Sequence, residues 1–269
     1  MSPESLRRIV PRVALLLERT GATVLEYYHP AMDVSRKADA SLTTPADHHA
    51  NALLRDGLAR LQPDLPIVSE ESAAPVLAER RRWQRYWLVD PLDGTREFVR
   101  RSDQFTINVA LVEDHRPILG LVYAPVTRRL WYGGPGLGAF RVEPGGEPRA
   151  VRTVPQAREP LRVILGHGSP GPRTRATLAR LPEHRTTREG ASLKFCAVAE
   201  GRADLFPRYG EIAEWDMAAP QAILEGAGGT LAAMSDLAPL RYNTRESLVT
   251  RDIVAFADRS IDWRRYLRD

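Results

Sequence analysis

Cysteine is nearly missing from this 269-residue chain; Cys196 is the only one. A single thiol cannot build an internal disulfide framework, and between Phe195 and Ala197 it reads as a small buried side chain rather than a reactive one. Lysine is almost as scarce. Of 38 basic residues only Lys37 and Lys194 are lysines, so arginine carries the positive charge. No apolar run approaches the roughly 18 residues of a membrane-spanning helix. The N-terminus has no uninterrupted hydrophobic stretch ahead of a small-residue cleavage site. These absences predict a cytoplasmic protein, with peripheral association at the inner membrane left open. Internal repeats and low-complexity segments are also missing.

What remains can still fold around a large core. Hydrophobic residues make up 43% of the chain, enough for one large domain or two lobes. The net charge is +4 and the pI about 9.4. That balance suits a polyanionic substrate, and it also suits a nucleic acid.

Leu6, Ile9, Val10, Val13, Leu16, Leu17 and Val24 recur at helical spacing and predict an amphipathic first helix. Residues 48–61 repeat the pattern. From Trp87 onward the texture turns to short β-rich runs at 87–89, 106–112, 118–123, 130–132 and 139–142, separated by turn residues. This predicts an N-terminal α+β lobe over 1–146, with two helices on an antiparallel sheet. Residues 143–148 read as an exposed linker. Beyond them, a strand at 162–165 and helical segments at 173–181, 192–200 and 216–225 predict a C-terminal α/β lobe over 147–269.

The chemistry concentrates in Asp90-Pro91-Leu92-Asp93-Gly94-Thr95, at the end of the apolar run Tyr86-Trp87-Leu88-Val89. Two carboxylates three residues apart at a strand end suit a hard divalent cation, which takes oxygen ligands and is often shared with substrate phosphate. Gly94 removes a side chain where an anion would approach the backbone. Three other segments agree. Ser69-Glu70-Glu71 follows a short apolar stretch, Trp215-Asp216-Met217-Ala218-Ala219 opens a small-residue helix, and Thr44-Pro45-Ala46-Asp47 puts an acid in a helix's first turn.

These four segments, in this order and spacing, resemble the signature of the inositol monophosphatase-like phosphatases, which are Mg²⁺-dependent and lithium-sensitive. Longer stretches, including 86–98, 105–111, 117–125, 192–196 and 199–208, resemble the bacterial 3'(2'),5'-bisphosphate nucleotidase branch, the CysQ type. The resemblance runs over nearly the whole chain. It implies an α+β/α/β fold, a layered αβαβα sandwich with the site between lobes.

The same resemblance implies roles. Glu70, Asp90, the Leu92 carbonyl and Thr95 would surround one Mg²⁺, and Asp90, Asp93 and Asp216 a second, in a site of two or three ions. Such a pair clamps a phosphate and acidifies a water. Without cations the crowded carboxylates would repel one another and leave the site disordered or partly protonated. Asp47 and Thr95 would orient and deprotonate the attacking water, with Glu70 helping to hold it. Phosphate would meet the Gly94 and Thr95 N–H groups beside Asp93 and Asp216. Lys194 and Arg208 match positions that contact a second phosphate or the nucleotide. Two departures stand out: the branch usually carries Gly-Ser-Ser where this chain has Gly190-Ala191-Ser192, and Ser-Arg-Ser-His where it has Gly166-His167-Gly168-Ser169-Pro170.

Other features take plainer readings. Gly134-Pro135-Gly136-Leu137-Gly138 lies between two strands and reads as a hairpin, not a nucleotide loop. His48 and His49 are neighbours on a helix and face different ways. Arg80-Arg81-Arg82 reads as solvated charge, and Glu71 as either a supporting carboxylate or a solvated neighbour. The expected substrate is a small phosphate ester: the 3'-phosphate of 3'-phosphoadenosine 5'-phosphate, a sulfur-assimilation by-product, or alternatively inositol monophosphate. Stable nucleic-acid binding is not expected, and no stripe specifies an oligomer. An arginine-rich RNA-binding protein on the same fold is the competing class. It requires RNA affinity that survives loss of Asp90 and Asp93 and falls steeply with salt.

Overall fold

The computed structural model describes residues 1–29, 35–36, 42–157 and 159–267. The chain opens with α1 (Pro3–Glu26), capped by Ser2, whose hydroxyl accepts the Ser5 N–H at 3.2 Å. Its apolar stripe, Leu6, Val10, Val13, Leu17 and Val24, is buried, while Pro11 lies on the exposed face. The two-residue strands β1 (Ser35–Arg36) and β2 (Leu42–Thr43) precede α2 (Pro45–Leu61). Pro45 begins α2, where its missing N–H costs nothing. Asp47 reaches back to the N–H and hydroxyl of Thr44, both at 2.7 Å, and closes the first turn.

A seven-stranded sheet follows. It is formed by β3 (Ile67–Ser69), β4 (Arg85–Asp93), β5 (Thr106–Glu113), β6 (Arg116–Ala124), β7 (Arg129–Gly134), β8 (Gly138–Val142) and β9 (Arg149–Val151), in that spatial order. Only β3 and β4 run parallel. Between these two lie α3 (Ala74–Glu79) and a 3₁₀ turn, Arg80–Arg82, and after β4 comes α4 (Thr95–Val99). The expected linker at 143–148 is the exposed turn joining β8 to β9, so this sheet's last strand lies past residue 146. The glycine-rich stretch at 134–138 is the β7–β8 turn, with the Leu137 N–H on the Gly134 carbonyl.

The second sheet has the order β11-β10-β12-β14-β13, from β10 (Leu161–Leu165), β11 (His184–Arg188), β12 (Leu205–Ala213), β13 (Thr230–Ala233) and β14 (Val249–Phe256). Its helices are α5 (Pro172–Arg180), α6 (Leu193–Ala199), α7 (Glu214–Gly226) and α8 (Arg264–Leu267).

Side-chain alternation sorts these elements into layers. Trp87 and Val89 of β4 face α1 and α2 in one core. Tyr86 and Leu88 face the other way, against α6, α7 and the inner face of the second sheet. The outer face of that sheet packs on α5 and α8 through Val163, Leu205, Val254 and Trp263. The result is a layered αβαβα sandwich. Among the described residues no helix is long and apolar enough to cross a membrane.

Arg80 is not solvated charge. It is 3% exposed, donates to Asn243 Oδ1 and to the carbonyls of Arg245 and Glu246, and holds the 243–246 loop against the first sheet. A guanidinium has enough donors to satisfy several carbonyls at once, which makes its burial tolerable.

The central helix α7 lies very close to the first sheet. A Cβ placed on Gly120 of β6 would come within 2.1 Å of the Ala219 carbonyl oxygen. Gly120→Ala therefore forces α7 off the sheet. We expect it to lower the unfolding free energy by about 1–3 kcal/mol, as overpacking does, measured by urea denaturation.

Candidate metal and phosphate site

Pro91 decides the geometry. It has no N–H to give a ladder, and in a central strand proline is tolerated at a bulge. The register breaks there: Asp90 pairs with Asn108 and Asp93 with Thr106, so three steps on β4 match two on β5. In a regular strand residues three apart face opposite sides. The extra residue returns Asp93 to the face of Asp90, toward α7. The Leu92 N–H turns inward and donates to Asp90 Oδ1 at 3.0 Å. The strand thus runs through the motif to Asp93, beyond the expected end at Val89, because the bulge lets pairing resume.

Neighbouring elements supply the other acids. Parallel pairing of Ser69 with Val89 carries on into a Glu70 N–H to Val89 carbonyl bond at 3.2 Å, which sets Glu70 beside Asp90. Asp216 sits in the first turn of α7, where the helix dipole favours an acid, and accepts the Ala213 N–H. Asp90, Asp93 and Asp216 each present an oxygen within 4.8 Å of the others. Burial pushes the Asp90 carboxyl well above the usual range, and Glu70, Asp93 and Asp216 push it further. Burial, then Asp93 and Glu70, raise Asp216 to about 8, and a hydrogen bond with Asp90 offsets part of this. An all-oxygen, anionic, mutually repelling donor set fits a hard divalent cation.

Asp93 is braced by polar side chains. Its Oδ2 accepts Ser192 Oγ at 2.6 Å, and Thr106 Oγ1 and Asn108 Nδ2 each at 3.3 Å. On the other side of the motif, the Thr95 hydroxyl donates to the Leu92 carbonyl at 3.3 Å, and Gly94 takes φ +90°, a left-handed conformation that favours glycine. Asp47 is buried at the start of α2 on its Thr44 donors.

A cleft of about 430 Å³ opens from Asp93, Gly94 and Asp216, and its walls include Lys194, Phe206, Arg208, Tyr209 and the 166–171 loop. Lys194 Nζ donates to the Ala191 carbonyl and stands 5.6 Å from the Phe206 ring. Burial lowers its pKa, while Asp93 and Glu97 oppose the shift. Arg208 donates to the Glu211 carbonyl across a bulge in β12. His167 lines the cleft and bonds Gln104 Oε1 at 2.7 Å; the same oxygen accepts the Gly190 N–H at 2.6 Å.

The sequence profile of the inositol monophosphatase family matches residues 8–260. The chain belongs to the inositol monophosphatase family. It is 42% identical over 243 residues, 90% of its length and 96% of the relative's, to the 3'(2'),5'-bisphosphate nucleotidase CysQ of Salmonella typhimurium. The protein of that name from Haemophilus influenzae is 32% identical over 95% of each chain. Among solved structures, CysQ from Bacteroides thetaiotaomicron superposes with a TM-score of 0.81 at 31% identity, covering 93% of this chain and 98% of that one. The suhB protein of Bartonella henselae shares the fold, with a TM-score of 0.80 at 24% identity.

Within this inositol monophosphatase-family fold, residues far apart in the sequence meet. Asp90, Asp93 and Asp216 cluster, Glu70 lies beside them, and Lys194 and Arg208 share their cleft. His48 and His49 diverge: His48 Nδ1 is 3.8 Å from Glu71, whereas His49 bonds the Pro45 carbonyl and stacks on Tyr27. Cys196 is buried and its thiol is pushed well up, so it stays protonated. Thr106, Asn108, Gln104 and the Ser192 hydroxyl carry no role in the sequence motifs. Asn108 did carry a signal, as an amide in the otherwise apolar run 107–111, which must find buried partners.

An acid whose folded pKa lies above its unfolded value destabilises the fold once the unfolded chain ionises. For Asp216 that penalty begins near its ordinary value of 3.8 and is complete above about 8. A divalent cation removes it by replacing the proton. In thermal melts, the increase in Tm on adding Mg²⁺ to chelator-treated protein should be small near pH 5 and larger near pH 8. An increment that shrinks as pH rises would contradict the assignment.

Proposed function

We propose that this protein is a Mg²⁺-dependent phosphatase that removes the 3'-phosphate of 3'-phosphoadenosine 5'-phosphate and leaves AMP. The observation that carries this reading is the pair of cations in the acidic cleft. Among the described residues, neither Lys194 nor Arg208 forms a salt bridge, and both line the cavity that begins at Asp93 and Asp216. One cleft therefore offers an acidic end for a metal-bound phosphate and a cationic wall for a second anion, an arrangement made for a bisphosphate. The 42% identity to proteins named 3'(2'),5'-bisphosphate nucleotidase supports the same choice.

Glu70, Asp90, the Leu92 carbonyl, Asp93 and Asp216 would hold two or three Mg²⁺, which supply charge neutralisation for the phosphate, an acidified water and stabilisation of the leaving alkoxide. Thr95 would orient the attacking water and pass its proton on to the Asp47 carboxylate, with Glu70 helping to hold the water. The Gly94 and Thr95 N–H groups, at the left-handed turn after β4, donate to phosphate oxygens. Lys194 and Arg208 bind the 5'-phosphate end. Li⁺ would inhibit, as the family resemblance implies. The site takes a small molecule rather than a stable nucleic-acid partner, and the protein works in the cytoplasm.

Inositol monophosphate is the second reading, favoured by Ala191. Its methyl faces Gly94 where the nucleotidase branch carries a hydroxyl. Phosphate release measured at matched concentrations separates the two. We expect 3'-phosphoadenosine 5'-phosphate to be strongly preferred over inositol 1-phosphate, and activity to vanish with chelator or with Asp90→Asn. Undiminished activity in Asp90→Asn would falsify the metal assignment. A hydrogen bond to a charged group contributes about 1.5–3 kcal/mol, so Lys194→Ala or Arg208→Ala should raise KM for the bisphosphate about 10- to 100-fold. Neither should alter KM for a monophosphate.

A further inference from the structure

Ser192 stands at the N-cap of α6, a position where a serine hydroxyl ordinarily accepts an N–H of its own helix. It does not do so here. The side chain is fully buried and turned the other way, into a polar group made by three other elements.

The chemistry of these side chains sets the direction of each bond. Asn108 Nδ2 can only donate, so at 2.9 Å it gives a proton to Ser192 Oγ, and its contact with Asp93 Oδ2 at 3.3 Å is also a donation. Ser192 keeps one proton and has two acceptors, Asp93 Oδ2 at 2.6 Å and the Asp216 carbonyl at 3.2 Å. The shorter, charge-assisted bond to the carboxylate is the stronger. Thr106 Oγ1 completes the set, 3.3 Å from Asp93 Oδ2 and 3.2 Å from Asn108 Oδ1. The single Thr106 proton goes to the charged carboxylate, the stronger acceptor, so Oδ2 faces three donors, while Oδ1 accepts no hydrogen bond among the described residues. Thr106, Asn108 and Ser192 are each 0% exposed, so water does not compete for these bonds.

We propose that Ser192, supported by Asn108 and Thr106, is a positioning residue that locks the Asp93 carboxylate with Oδ1 presented to the cation and ties it to the start of α7. Asp93, Thr106 and Asn108 lie on the first sheet, whereas Ser192 and Asp216 belong to the helical layer behind it. Ser192 is therefore the bond through which the acid on β4 and the acid on α7 keep their spacing. The bulge brings Asp93 to the correct face, and the three donors then fix its rotation. Carboxylates that ligate metals depend on such outer partners, whose loss commonly weakens metal binding about 10- to 100-fold. This inference rests on the metal reading of the acidic cluster.

The test measures Mn²⁺ binding to substrate-free protein by titration calorimetry. Ser192→Ala should weaken affinity about 10-fold or more and raise the metal concentration needed for half-maximal activity, with KM at saturating metal unchanged. Thr106→Val should weaken affinity in the same direction, and Thr106→Ser, which keeps the hydroxyl, should restore it. Thr20→Val, which removes a buried hydroxyl bonded to the Leu16 carbonyl far from the site, is the control for general destabilisation; its Mn²⁺ affinity should match wild type. If wild type binds Mn²⁺ and both Ser192→Ala and Thr106→Val bind it equally well, the inference is overturned while the metal reading survives. If wild type binds no divalent cation, the metal reading itself fails and this inference with it. Should Ser192→Ala not fold, the Thr106 pair decides alone.

Discussion

Repulsion among carboxylates is the constraint around which this molecule is arranged. Glu70, Asp90, Asp93 and Asp216 come from the ends of two neighbouring strands, β3 and β4, and from one helix start, and each raises the cost of ionising a neighbour. Asp90 bears the most, being fully buried and pushed upward by all three others. Such a grouping destabilises the fold when no positive charge answers it. Between the first sheet and α7, such a donor set fits a divalent cation, which would supply that charge. The fold therefore maintains an anionic corner that a bound cation would relieve.

Packing holds the corner in place. The first sheet presents Asp90 and Asp93 on its inner face, and α7 brings Asp216 to meet them. This requires the helix to approach the sheet more closely than side chains normally allow, which Gly120 permits against the Ala219 backbone. Arg80 fastens the 243–246 loop from the other side, and the Asn243 N–H bonds Glu214 at 2.8 Å, at the very start of α7. Distant residues thereby fix the helix end that carries Asp216. The second sheet then adds the cationic wall, since β12 and α6 deliver Arg208 and Lys194 to the same opening.

Much of this was readable from local pattern. The stripe from Leu6 to Val24 yields α1, the alternating runs after Trp87 yield β4 through β8, and Pro45 with Asp47 marks the start of α2. In each case a short-range rule, helical spacing or strand alternation or a cap, coincides with what tertiary packing wants. Local rules gave no account of Arg80. A run of three arginines has the composition of a solvated surface, yet its first member is buried because a loop 163 or more residues away accepts its guanidinium donors on the Asn243 side chain and the Arg245 and Glu246 carbonyls. The same rules marked Asn108 only as an amide in need of a buried partner and could not name that partner, the hydroxyl of Ser192, 84 residues away in the chain.

The sequence alone determined which chemistry is available. Six consecutive residues, with a proline that cannot join a ladder and a glycine free to turn left, commit the end of β4 to a bulge bearing two acids. That follows from backbone sterics and missing donors, which act within a few residues. Only the tertiary structure decided which oxygens of those acids are occupied, which carboxylates crowd one another, and which basic side chains share their cleft. Those properties depend on burial and on distances between groups far apart along the chain. No local pattern encodes such distances; they exist only once both sheets have closed on α7.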